Sequence, residues 1–243
     1  MPYSKDYEKI IEHVFKYEGE INDSNLDSGN FCTIDGVNYK FLTKYGITCN
    51  FVRDKLKYTN PTKIKQFIQN LTKDDAKKLY YDYIYNHKNN KLDNIKNRSI
   101  KQLIFDMMVK SGESQARQDL KNAVAEIKGK KITDYPSIPH EYMPILSEEI
   151  NKMNKEKQEQ LFNKLKSRWT AYESDKNKKF LQGILNRINS HIFVPYEDIK
   201  PSGVNNNTDD DPNIDKEKIL FVFLIVITSA VFLTLIIYLF RRM

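Results

Sequence analysis

Residues 98–111 read RSIKQLIFDMMVKS and form the most apolar helical segment outside the C-terminal region of this 243-residue chain. Leu103, Ile104, Met107 and Met108 recur at the three- and four-residue spacing of one helix face. A helix that is apolar over so much of its surface packs against other elements on several sides. We therefore predict that residues 98–111 form the central core helix.

The segments on either side also have helical patterns. Residues 6–17 place apolar side chains on one face and end before Gly19. Thr72-Lys-Asp-Asp75 resembles an N-terminal cap. Residues 20–50 lack helical periodicity and are rich in Gly, Asn, Asp and Ser, which indicates a loop or small hairpin region. A helix that runs through Tyr85 is predicted after the cap at residues 72–75, and further helices are predicted at residues 113–127, 141–167, 168–175 and 179–190. The pattern predicts a mainly α domain over residues 1–195.

Composition limits the kinds of site that the chain can carry. A net charge of +7 is spread in Lys-rich patches, which favours a solvated surface over attraction to an anionic polymer. Cys32 and Cys49 form no disulfide framework, and one bridge or two free thiols are both open. The four histidines lack metal-ligand spacing. We predict no metal, no cofactor and no nucleic-acid partner.

The C-terminal region has a different composition. Residues 219–240 are an uncharged run of 22, about 33 Å long as a helix, which predicts a transmembrane helix with a lipid bilayer as partner. Residues 196–218 are polar and acidic, which is typical of a flexible linker. This pattern predicts a single-pass membrane protein of a bacterial envelope or of a virion or host membrane.

The side of the membrane on which the domain lies is open. Arg241 and Arg242 follow the apolar run, so the positive-inside tendency favours an external domain. The first twenty residues contain no continuous apolar core, so we expect no signal peptide, which favours an internal, tail-anchored domain. A third hypothesis is a virion or phage-lysis protein, in which the enzyme reaches the wall after membrane disruption or during entry.

Two carboxylates, Glu18 and Asp27, are candidate catalytic residues. Glu18 ends the first predicted helix beside Phe15 and Tyr17, where partial burial suits a proton donor. Asp27 lies in a polar Gly/Ser/Asn loop, which suits a charged group. Glycoside hydrolysis needs such a division of roles. Taken alone, the two residues fit a helix cap and a solvated loop charge better.

Longer motifs around these residues resemble those of glycoside hydrolase family 108, the bacterial and phage N-acetylmuramidases. The first is Glu18-Gly19 with Asn22, Asp23, Asp27 and Gly29, followed by TKYGIT at residues 43–48. Later segments agree in order and extend the resemblance over residues 5–193. They are residues 76–80 (AKKLY), 105–112 (FDMMVKSG), 116–123, 168–172 (RWTAY) and 180–188 (FLQGILNRI).

The resemblance implies a lysozyme-like fold and a set of site residues. Glu18 is the expected general acid. Asp27 and Thr43 are expected to handle the attacking water or the sugar cation, as in tailed-phage lysozymes with the same Glu-to-Asp spacing, and Thr33 is a rival to Thr43. Tyr45 and Gly46 are expected beneath the bound sugar, and a packing role for Tyr45 is equally open. Residues 125–195 are expected to be a degenerate peptidoglycan-binding-like part.

The sequence also departs from the family pattern. Glu20, Ile21 and Asn30 replace family residues in the site loops, and residues 31–42 resemble an insertion. Lys110 stands in place of Asn and Ile184 in place of Trp.

These observations support two functions. The first is an N-acetylmuramidase that cleaves the MurNAc–GlcNAc bond of peptidoglycan glycan strands, for lysis, entry or wall remodelling. The alternative is a catalytically inactive, lysozyme-like binding or structural module on a membrane. The sequence does not distinguish an inverting from a retaining mechanism.

Overall fold

The structure is a computed structural model that describes residues 3–25, 27–176 and 178–196. Helix α5 (Arg98–Ser111) lies in the core of the described domain. Its N-terminus is capped by the Asn97 side chain, and it ends at Gly112. Leu103 and Ile104 are fully buried, and α5 packs against the first, sixth and eighth helices. The prediction of a central core helix is confirmed.

The described residues are mainly helical, as predicted. The helices are α1 (Lys5–Glu18), α2 (Cys49–Leu56), α3 (Pro61–Asn70), α4 (Lys73–Tyr80), α5, α6 (Glu113–Lys128), α7 (Pro139–Asn151), α8 (Lys155–Lys176) and α9 (Leu181–Asn189). A π-helical turn, Tyr81–Tyr85, follows α4. Single 3₁₀ turns occupy Ser28–Asn30, Leu92–Asn94, Ile132–Asp134 and Lys178–Phe180. All of these elements belong to one compact unit, Met1–Lys200.

Short polar side chains begin several of the helices. Thr48, Asn60 and Asn97 accept backbone N–H groups of the first turns of α2, α3 and α5. Thr72 and Asp75 form a reciprocal capping box at α4, which confirms the cap predicted there. Each cap satisfies donors that a helix N-terminus leaves unpaired.

The predicted hairpin region contains four short strands: β1 (Ile21–Asn22), β2 (Phe31–Ile34), β3 (Val37–Lys40) and β4 (Thr43–Lys44). Strands β2 and β3 pair antiparallel, and β1 pairs with β4 so that Asn22 lies opposite Thr43. Asp35 and Gly36 form the turn between β2 and β3, both with positive φ, as a two-residue hairpin of this sequence requires. Most of the segment that resembles an insertion, residues 31–42, thus forms this hairpin.

A disulfide between Cys32 and Cys49 joins the hairpin to α2. Of the two alternatives left open by the sequence, the bridge is the one present. Both cysteines are buried. A cross-link over this sequence separation is typically worth about 3 kcal/mol, largely by restricting the unfolded chain.

The membrane prediction requires correction. The predicted transmembrane helix, residues 219–240, lies outside the described residues, as does the predicted linker beyond residue 196. Among the described residues, no helix combines the length and apolar composition that crossing a bilayer requires. The longest, α8, has 22 residues but carries Lys, Glu and Arg along its length. The predicted localisation as a single-pass membrane protein is therefore not upheld.

Candidate active site

Glu18 is the last residue of α1, and its carboxylate is held by a residue from the other end of the domain. Arg187 of α9 donates through Nη1 to Glu18 Oε1 at 2.6 Å. Only 5% of the Arg187 side chain and 18% of the Glu18 side chain are exposed. An ion pair in so little water is well oriented, because solvent competes weakly for either group.

Arg187 is itself fixed by Asp106 of α5. The buried Asp106 carboxylate accepts from Arg187 Nε at 3.0 Å and also from Arg187 Nη2. His191 Nε2 lies 2.8 Å from Asp106 Oδ2. Burial opposes ionisation, but the Arg187 charge and the His191 contact hold the pKa of Asp106 below its usual range. Asp106 thus forms a buried ion pair with Arg187, whereas Arg168 pairs with Glu126.

His13 completes this buried cluster. Its ring lies 4.5 Å from that of His191, and its Nε2 is 3.8 Å from Asp106 Oδ2. Burial, followed by the neighbouring His191, lowers the pKa of His13 to about 4. Potential metal-ligand atoms of His13, His191 and Asp106 lie within 4.8 Å of one another. The sequence did not predict this cluster, because the two histidines are far apart in the chain. Arg187 already neutralises Asp106, so a cation would compete with Arg187 for the same carboxylate.

Asp27 lies in the loop between β1 and β2. Its Oδ1 accepts from the backbone N–H of Gly29 at 2.8 Å, and its Oδ2 accepts from Asn22 Nδ2 at 2.5 Å. The carboxylate is therefore fixed by one contact on each oxygen. Gly29 fits here because a Cβ at this position would lie 3.1 Å from Asp27 Oδ1.

The structure brings Glu18 and Asp27 to one cleft of about 810 Å³. Basic, polar, aromatic and small or aliphatic residues complete its walls: Tyr17, Asn22, Ser24, Lys110, Lys176, Lys178, Lys179, Phe180, Gln182, Gly183, Ile184 and Arg187. A proton donor and a second carboxylate facing one open cleft are what hydrolysis of a glycosidic bond needs.

Thr43 lies behind this cleft and is buried. Its Oγ1 donates to Asn30 Oδ1 at 2.7 Å. Asn30 Nδ2 in turn donates to the carbonyl of Ser24 at 3.0 Å and lies 3.4 Å from Asn22 Oδ1. Thr43 is thus connected to Asp27 through Asn30 and Asn22. Asn30, a departure from the family pattern, is fully buried and joins these loops.

The rival residue Thr33 lies on the hairpin. It is exposed in β2 opposite Asn38, and its carbonyl accepts from Arg53. Its side chain does not line the cleft that holds Glu18 and Asp27.

Gly46 packs directly against Glu18. A Cβ at Gly46 would lie 2.9 Å from Glu18 Oε2 and 2.4 Å from the Tyr80 hydroxyl, and its φ of +76° favours glycine. Tyr80 donates to the carbonyl of Tyr45 at 3.1 Å. Burial, together with the Glu18 charge, raises the pKa of Tyr80 well above its usual value, so the hydroxyl remains a donor.

The structure does not bring the Tyr45 side chain to the cleft. Its hydroxyl donates to Glu20 Oε1 at 3.3 Å, and its ring packs near Phe15. Together with Gly19 these residues line a separate groove of about 320 Å³. The placement of Tyr45 fits the packing alternative.

A larger groove of about 920 Å³ lies along α3 and α4, but its two carboxylates are already engaged. Asp75 belongs to the α4 capping box, and Asp82 pairs with Lys78. We therefore assign the candidate active site to the cleft that holds Glu18 and Asp27.

The family model described as Glycosyl hydrolase 108 matches residues 11–112. The protein carries a glycoside hydrolase domain. The matched segment contains Glu18, Asp27 and Thr43, and it ends well before Arg187. No curated protein sequence matches the chain at a significant level.

The glycoside hydrolase is similar in structure to a solved protein, reported as the structure of Brucella abortus SagA. The two share 19% sequence identity with a TM-score of 0.57, over 75% of this chain and 89% of that chain. The likeness shows a shared fold. The helical architecture is consistent with the predicted lysozyme-like domain.

Sequence reasoning missed several residues of the hydrolase cleft. Phe180 lines the cleft with 48% of its surface exposed, so its ring is accessible to a ligand in the cleft. The contact of Arg187 with Glu18 was not expected from the sequence. Both residues lie in the stretch 180–188 that resembles the closing family motif. Of the four lysines on the cleft walls, Lys110 lies in the family-like motif at residues 105–112, whereas Lys176, Lys178 and Lys179 lie outside any motif.

Proposed function

We propose that this glycoside hydrolase is an N-acetylmuramidase that cleaves the MurNAc–GlcNAc bond of peptidoglycan. The observation that carries the proposal is the common cleft of Glu18 and Asp27 within the segment matched by the family Glycosyl hydrolase 108. The cleft is open and polar with an exposed aromatic side chain, which suits an extended sugar chain.

In this proposal, Glu18 gives its proton to the glycosidic oxygen as the bond to the anomeric carbon breaks. Arg187 binds Oε1, so the proton is carried on Oε2. Arg187 acts as a positioning residue, because Asp106 fixes its guanidinium and leaves only Nη1 for Glu18.

Asp27 is the proposed second carboxylate. Asn22 and Gly29 hold it in place, and its carboxylate has no ion pair with a described residue. It either accepts the proton of the attacking water or stabilises the positive charge on the sugar. Thr43 has a structural role in this proposal: its hydrogen bond to Asn30 stabilises the loop that carries Asp27. It does not contact the sugar.

The test uses the full chain and purified peptidoglycan, with new reducing ends as the readout. We expect Glu18→Gln to lose at least about 100-fold in turnover, since general acid catalysis contributes 10²–10⁴-fold. The fold should persist, as shown by an unchanged circular dichroism spectrum.

Glu20→Gln is the matched control, because Glu20 is an exposed glutamate two residues away and lines another groove. It should retain nearly full activity. Folded wild-type protein that releases no reducing ends from several wall types would contradict the proposed function. The anomeric form of the first product decides between inversion and retention.

A further inference from the structure

Four lysines line the walls of the active-site cleft. Lys110 lies at the end of α5, Lys176 at the end of α8, and Lys178 and Lys179 in the 3₁₀ turn before α9. All four are exposed. None forms an ion pair with any described residue, whereas other lysines such as Lys55 pair with nearby glutamates.

The charge balance of the cleft is strongly positive. Its lining contains five cationic side chains against the two carboxylates Glu18 and Asp27. One of those carboxylates, Glu18, is already paired with Arg187. The lysines therefore remain available to a ligand.

The sugar backbone of peptidoglycan carries no negative charge that could pair with these lysines. Its rings and N-acetyl groups are uncharged, and a neutral chain needs hydrogen bonds and aromatic faces, which Asn22 and Phe180 offer. Negative charge enters the strand through its substituents, which carry carboxylates. Ammonium groups on a cleft wall attract and retain such anions.

We propose that Lys110, Lys176, Lys178 and Lys179 make the enzyme selective for glycan strands whose substituents carry free carboxylates near the cleaved bond. This inference rests on the proposed function and specifies the substrate of the same cleft. The carboxylates are either those of the stem peptides or the lactyl carboxylates of peptide-free strands.

Each lysine contributes little to the free energy of substrate binding, because an exposed ion pair is weak and is screened by salt. Four such contacts acting together multiply to about a 10-fold effect. The effect should fall on KM more than on kcat, since the lysines hold substituents of the substrate and not the reacting atoms.

The experiment compares full-length wild type with a variant carrying Lys→Gln at all four positions. The substrates are purified peptidoglycan and the same material after its carboxylates have been converted to amides. We expect amidation to lower kcat/KM of the wild type about 10-fold. The fourfold variant should lose a similar factor on native peptidoglycan and should no longer respond to amidation or to added salt.

The matched control carries Lys→Gln at Lys88, Lys128, Lys155 and Lys157, which are exposed and do not line the cleft. It has the same net charge as the test variant. It should keep the wild-type preference, and a loss equal to that of the test variant would show general attraction and overturn the inference.

The outcomes also separate the inference from the proposed function. Equal digestion of native and amidated peptidoglycan by the wild type would overturn the inference and leave the muramidase intact. Absence of any digestion by folded protein would overturn the proposed function. Strands stripped of peptides separate the two sources, because the lactyl carboxylate is free only in them. A response to amidation of stripped strands shows that the lysines also bind the lactyl carboxylate. A response confined to peptide-bearing strands assigns the carboxylates of the stem peptide alone.

Discussion

Arg187 Nη1 lies 2.6 Å from Glu18 Oε1, although the two residues are 169 positions apart in the chain. Asp106 binds the other side of the same guanidinium. One arginine thus connects the first, central and last described helices at the proposed proton donor. The orientation of Glu18 depends on correct packing of α9.

Replacing Arg187 should destabilise the protein strongly. In Arg187→Met, Asp106 remains buried without its cation, and we expect a loss of about 3–5 kcal/mol in the free energy of unfolding, measured in urea. Arg168→Met is the control, because the pair of Arg168 with Glu126 is more exposed and is worth about 1 kcal/mol or less. Adding Asp106→Asn to Arg187→Met should recover part of the loss. Equal effects of the two arginine variants would contradict the role of the buried pair.

Gly46→Ala should damage both stability and turnover. The new methyl group would meet the Tyr80 hydroxyl and Glu18 at once. Gly36→Ala separates strain from contact, because Gly36 has a similar φ of +79° and nothing within 4 Å of an added Cβ. We expect the free energy of unfolding to fall by about 1 kcal/mol in Gly36→Ala, from backbone strain alone, and by at least 2 kcal/mol in Gly46→Ala. Reducing-end release should fall only in the latter, and full activity of Gly46→Ala would refute the packing against Glu18.

His13 should make stability depend on pH between about 4 and 6.5. Its pKa is lowered from 6.5 to about 4 by burial and by His191, so protonation favours the unfolded chain. The contribution is therefore complete above pH 6.5 and declines as the pH falls toward 4. Allowing for partial exposure to solvent, we expect about 1–2 kcal/mol over this interval.

Urea unfolding at several pH values measures this slope. His13→Gln should show a shallower decline than the wild type between pH 6.5 and 4. Asp106 does not interfere, because its own lowered pKa affects stability only as the pH falls below the ordinary value of 3.8. An unchanged slope in His13→Gln would assign the pH dependence to other groups.

Phe180→Ala should weaken substrate binding without affecting the fold. Phe180 is 48% exposed on the cleft wall, so its removal costs little core packing but takes away an aromatic face for a sugar ring. We expect a rise in KM of about 5-fold to 10-fold, equivalent to about 1 kcal/mol of contact energy. Ile132→Ala, at 45% exposure away from the cleft, should leave KM unchanged. A similar KM for both variants would exclude Phe180 from substrate binding.

Local patterns were sufficient to predict some elements of the fold. Residues 98–111 were assigned to one helix with its observed bounds, and the capping box of Thr72 and Asp75 was visible as a short motif. Both depend on interactions between residues three or four positions apart, which sequence spacing records directly. The helix at residues 168–175 was wrong as a separate element, because α8 continues through it and the break lies after Asn151 instead.

The contacts of the site were harder to predict, because they join distant parts of the chain. The buried meeting of His13 and His191 at Asp106 has no local signal, and neither has the contact of Arg187 with Glu18. Thr43 and Tyr45 were named from a motif that fixes their order in the chain but not the direction of their side chains. Their observed contacts depend on Asn30 and Glu20, two residues that depart from the family pattern.

The Arg187 contacts have a consequence for the newly synthesised chain. A ribosome that has translated residues 11–112 has made the whole segment matched by the glycoside hydrolase family, including both carboxylates of the cleft. Asp106 still lacks its cation at that stage, and Glu18 lacks its anchor. The nascent protein therefore acquires a positioned Glu18, the proposed proton donor, only after residue 187 has left the exit tunnel, well after the segment that carries Glu18 and Asp27 has been made.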